Sequence, residues 1–167
     1  MGGGAGVTAQ QIVQAAYQLQ GAPYRPWRSG NSIPMWQDDN FPIHGTQLNS
    51  LRAHLLRVGV MGADLINFAL MYSGLETNGG TGTFANYLVN TGSFDPDTPG
   101  QRGAIALRPY QGPQDDGSIA LYVGPHQLIQ SVPGEGVTDA YTDKETYGSQ
   151  ERRYHFTIYG FLRGVRY

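Results

Sequence analysis

The sequence predicts an α+β domain, with N-terminal helices packed on an antiparallel β-sheet. Three observations carry that expectation. Apolar residues recur at helical spacing in the first half, at Ile12, Ala16 and Leu19 and again at Leu65, Ile66, Ala69 and Leu70. From about residue 100 the pattern changes to short apolar runs bounded by Gly, Pro and Asp, as strands and turns require. The chain is 167 residues long and 40% hydrophobic, enough for one ordinary domain with a real core. No internal repeat or composition shift divides it, so residues 1–167 form one domain, with residues 1–7 a glycine-rich N-terminal arm.

Thr8 is placed to cap a helix running to about Gln20, and Gly21 supplies the stop. Residues 21 to 47 hold Pro23, Pro26, Pro34 and Pro42 with both tryptophans, Trp27 and Trp36. Proline at that density removes backbone donors and forbids regular structure, so a long loop anchored by aromatics is expected. Asn49 or Ser50 caps a short helix with Leu51, Leu55 and Val58 on one face, ending at Gly59. A second helix runs from about Gly62 to Ser73; apolar residues, Tyr72 among them, cover most of its circumference, so it is the buried central helix. Asp64 lies in its first turn, at the positive end of the helix dipole. Asn78-Gly79-Gly80 marks a turn and Phe84 to Val89 a further short helix. Then come strands at Ala104–Leu107, Ser118–Val123 and Gln127–Val132, the last two a hairpin across Gly124-Pro125-His126. Gly134 and Gly136 mark the next turn, and Tyr154 to Phe161 reads as a final strand.

The formal charge is −2, and the 11 Lys and Arg residues form no run longer than Arg152-Arg153. That lacks the basic face that neutralises phosphates, so nucleic acid is not an expected partner. No apolar stretch approaches the ~20 residues that cross a bilayer, and the start lacks the basic and apolar regions of a secretory signal. The expectation is a soluble protein with no export address. The chain has no cysteine, which excludes disulfides, thiolate metal sites and a cysteine nucleophile.

Three stretches resemble the NlpC-type, papain-like family of cell-wall peptidases. Gly21-Ala-Pro-Tyr24 after an opening helix is similar to that family's Gly-x-Pro-Tyr entry. Gly59-Val-Met-Gly-Ala-Asp-Leu-Ile-Asn-Phe-Ala-Leu70 resembles its Asp-Cys-Ser-Gly-Leu-Val motif and the apolar helix that follows. Asp116-Gly-Ser-Ile-Ala-Leu-Tyr-Val-Gly124 with Gln127-Leu-Ile-Gln130 resembles its His-Val-Gly-Ile-Tyr-Leu-Gly strand, turn and return strand. The resemblance spans roughly residues 8 to 165. It implies a papain-like fold and puts the nucleophile position on Gly62, the general-base position on Ser118 and the third polar group on Gln130. Shifting the match by one residue would put the nucleophile on Ala63, which is equally inert. Thiol peptidases need a nucleophile activated by an adjacent base. Both are missing here, so the resemblance implies a pseudo-peptidase with no intact catalytic residue. It also implies that Tyr24, Trp27, Trp36 and Gln130 wall the peptide cleft.

Other residues offer little chemistry. His44, His54, His126 and His155 read as surface or packing residues, and no pair has metal-ligand spacing. His126 falls at the hairpin tip, the wrong end for Ser118. Asp38-Asp39 and Asp115-Asp116 read as solvated turn formers, and Gly79-Gly-Thr-Gly82 as a turn rather than a phosphate loop. Trp27 and Trp36 fit two readings, walls of a groove or pins for the long loop. No cofactor or metal is expected. The function implied is an inactive NlpC-like homologue, either a structural component of an assembly such as a phage tail or baseplate, or a binding module for cell-wall peptide. Its partners are then peptidoglycan peptide or other protein subunits, and a virion-associated location is compatible. The alternative is an active peptidoglycan peptide hydrolase with an unusual or engineered-out nucleophile.

Overall fold

The computed structural model describes residues 6–25, 48–75, 102–109, 117–143 and 156–167. Three helices pack on a five-stranded antiparallel sheet, an α+β arrangement. The expected proline-rich loop after Arg25, the helix at 84–89, and Trp27, Trp36, His44, His155, Asp38, Asp39, Asp115, Asp116 and Gly79–Gly82 lie outside the described residues.

Helix α1 (Ala9–Tyr17) begins as its sequence suggests. The Thr8 hydroxyl accepts from the Gln11 backbone N–H at 3.1 Å, and Gln11 Oε1 accepts from the Thr8 N–H at 2.8 Å. Two orphan donors are thereby satisfied. Past Tyr17 the chain tightens into three-residue bonds, Gln20 N–H to Tyr17 O among them, so the regular helix ends three residues before Gln20. Helix α2 (Leu48–Val58) buries Leu51 and Leu55. Val58, expected on the same face, is 40% exposed, because the last turn overhangs the core before Gly59 turns the chain at φ 100°. Helix α3 (Gly62–Tyr72) is buried from Ala63 through Leu70 and packs between α1 and the sheet. Tyr72 emerges at its exposed end and tilts against Phe68, ring centroids 5.2 Å apart.

The sheet runs β5-β4-β3-β2-β6, built from β2 (Ile105–Arg108), β3 (Ser118–Tyr122), β4 (Gln127–Val132), β5 (Gly136–Thr142) and β6 (Ile158–Gly160). Alternation sorts its side chains onto two faces. Ile105, Leu107, Ile119, Leu121, Ile129 and Val137 meet the helices, while Ala104, Ala106, Ala120, Tyr122 and Leu128 cluster with Phe156 on the other side. Strand β5 is not signalled by its composition. Gly136 starts it, Asp139 interrupts its apolar alternation, and a bulge opposite Leu128–Gln130 breaks its period. The final strand is shorter than expected, and its first two expected residues, 154 and 155, lie outside the described residues. A separate parallel pair, β1 (Val7–Thr8) with β7 (Val165–Arg166), sets the two ends of the described chain side by side.

One long-range tie joins α1 to β5. The Tyr17 hydroxyl donates to Asp139 Oδ2 at 2.7 Å. Partial burial first, then that hydrogen bond and the carboxylate's charge, push the phenol up to about 12. Because the folded chain holds this proton more tightly than the unfolded one, the contribution is complete below pH ~10 and is lost as pH rises from there through about 12. Tyr17→Phe is expected to cost about 1 kcal/mol in urea unfolding at neutral pH. No loss would show that the packing of α1, not this hydroxyl, holds the two elements together.

Candidate functional site

The three motif stretches singled out in the sequence meet at the N-terminal end of α3. Residues 21–25 form a strap stitched on both sides. On one side the Gly21 N–H donates to Val137 O at 3.0 Å, and the Val137 N–H donates to Ala22 O at 2.8 Å. On the other, the Val60 N–H donates to Pro23 O at 2.8 Å and the Arg25 N–H to Val60 O at 3.0 Å, with Tyr24 and Val60 in a parallel bridge. The Ser131 hydroxyl, buried on β4, donates to the same Val60 carbonyl at 2.8 Å. The chain leading into α3 is thus fixed by the Gly-Ala-Pro-Tyr segment and by the return strand of the hairpin.

Gly62 opens α3 in ordinary helical conformation. A Cβ built there would lie 3.6 Å from Ile119 Cγ2 and 3.7 Å from Ile119 O, ordinary van der Waals separations. The fold therefore does not require glycine at 62, and a side chain there would rest on β3. Two residues on, the Asp64 carboxylate is 1% exposed and accepts from the Met61 N–H at 3.0 Å. Counted from Gly62, the motif that this stretch resembles has glycine where this chain has Asp64. The positive end of a helix helps to hold a thiolate. Here a carboxylate in the same turn already uses it.

That arrangement makes a prediction. Gly62→Cys is expected to fold with unchanged or slightly higher stability, since it removes a helical glycine. Its thiol should be no more acidic than an ordinary cysteine, because like charges in one helical turn oppose ionisation. Adding Asp64→Asn, which keeps an acceptor for Met61, should let the thiol ionise at a pH lower by about one unit or more. The pH dependence of iodoacetamide alkylation reads both. Identical profiles would show that the Asp64 charge does not reach position 62.

Ser118 and Gln130 take a different position from Gly62. Ser118 pairs with Arg108 and, by alternation, shares a face with Ala120, away from α3. Gln130 follows Ile129, which faces the helices, and so lies on that far face too. The side chains facing α3 at these levels are Ile119 and Ser131. Ser118 is half-buried, whereas Gln130 is 5% exposed, with an Nε2 that has no hydrogen-bond partner among the described residues. Tyr24 is half-buried beside Val60. Trp27 and Trp36 are outside the described residues, so of the four cleft candidates only Tyr24 and Gln130 are placed. Two residues at this place carry no signal of a site in the sequence, Ser131 and Asp64. The resemblance selects Gln130, twelve residues after Ser118, and Asp64 in a first helical turn reads as a dipole partner.

The opposite end of the hairpin carries a second polar group. His126 turns the chain at φ 61°, the one non-glycine residue with positive φ among those described. Its Nδ1 lies 3.1 Å from Asp143 Oδ1, and the Tyr122 hydroxyl donates to Asp143 Oδ2 at 2.7 Å. The Asp143 N–H donates to His126 O at 2.7 Å. These bonds pin the turn to the end of β5. Ser118 lies at the other end of β3, as the strand positions imply, so His126 does not serve it. His54 is a surface neighbour of Arg57 on α2, its Nδ1 3.1 Å from Nη2. Among the described residues no group of three or more His, Asp or Glu could hold a metal ion, and no helix is long and apolar enough to cross a membrane. No family model matches the chain, and no curated protein matches it.

Proposed function

We propose that this chain is a cysteine-less domain on the NlpC-type, papain-like scaffold that does not cleave peptides and serves as a structural component of an assembly such as a phage tail or baseplate. The observation that carries the reading is the meeting of the Gly-Ala-Pro-Tyr strap, the start of α3 and the hairpin strands around a position that has room for a side chain and has none. The resemblance assigns the nucleophile to that position. Without a nucleophile, a preserved scaffold acts through its surfaces. Use as a binding module for cell-wall peptide gains less support. At the helix start Met61, Ala63 and Asp64 are buried and Gly62 and Tyr24 half-buried, and Gln130 is buried on the other face of the sheet. The two placed cleft candidates, Tyr24 and Gln130, therefore do not line one groove.

The test incubates the protein with purified peptidoglycan and with muropeptides, and reads products by mass spectrometry. No product is expected. New amine and carboxyl ends would overturn the non-hydrolytic reading and restore the alternative of an active hydrolase with another nucleophile. A Gly62→Cys, Ser118→His variant run beside it tests the register: position 118 faces away from α3, so no cleavage is expected from it, and cleavage by that variant alone would restore both assignments. Titration calorimetry with the same muropeptides separates the two non-catalytic uses. Binding that Tyr24→Ala abolishes would replace the structural reading with the peptide-binding one.

A further inference from the structure

We draw no further inference here: the strongest candidate, the Tyr122–Asp143–His126 hydrogen-bonded cluster at the hairpin end of the sheet, joins no group of three metal-ligating side chains among the described residues, and nothing in the structure shows a substrate's place against the imidazole, so it carries nothing beyond the turn-pinning role already described.

Discussion

Gly136→Ala is expected to lose the native fold or most of its stability, at a cost of about 3 kcal/mol or more. Two independent demands meet at this residue. Its φ is 80°, where an L side chain costs about 1–2 kcal/mol. A Cβ there would also run into the Ala22 carbonyl oxygen, which is backbone and is held by the Val137 N–H. The strap cannot yield without giving up that bond and its partner at Gly21. Gly134 and Gly21 are natural controls. Each has a similar φ, 81° and 86°, but a Cβ at either meets nothing within 4 Å. Alanine at those two positions should cost only the conformational part. Chemical denaturation of the three variants separates strain from collision, and equal losses would refute the close approach of strap and strand.

Asp143→Ala should be the next most damaging change, at about 3 kcal/mol. The Asp143 side chain is 3% exposed and the Tyr122 residue fully buried. Removing the carboxylate takes its acceptor from the Tyr122 hydroxyl and releases the imidazole that holds an unfavourable backbone angle. Tyr122→Phe alone deletes the donor together with its need for a partner, and should cost about 1 kcal/mol. In the double variant the two losses should sum to more than is observed, with a coupling of about 1 kcal/mol or more. Strict additivity in a urea-unfolding cycle would mean that the hydroxyl and the carboxylate do not depend on one another.

Much of the helical half is legible from local chemistry. Thr8 caps α1 as expected, with Gln11 completing the cap, and Leu65, Ile66, Ala69 and Leu70 do lie in the centre of the core. The hairpin is equally clear, since the apolar runs at 118–123 and 127–132 flank the turn at Gly124-Pro125-His126. Strand β5 is hidden because it is an edge whose first residues are held by the strap, a partner far away in sequence. At the candidate site, spacing sets the interval between two positions but not the face they share. Ser118 with Gln130 and Ile119 with Ser131 are separated by the same count, and only the packing of α3 shows which pair it meets. Asp143 had no local signal at all. Its role depends on Tyr122 and His126, which reach it only after three strands have paired.

The parallel seam of Val7 with Val165 has a consequence for how the domain assembles. Closing a loop of nearly the whole chain costs more entropy than any hairpin within it, and a two-residue ladder returns little for that cost. The seam should therefore zip last during folding and open first on warming. Amide exchange at Val7, whose N–H donates to Gly164 O at 2.9 Å, should run ahead of global unfolding, while the amides of β3 keep pace with it. The domain then opens like a clasp, with its sheet still intact.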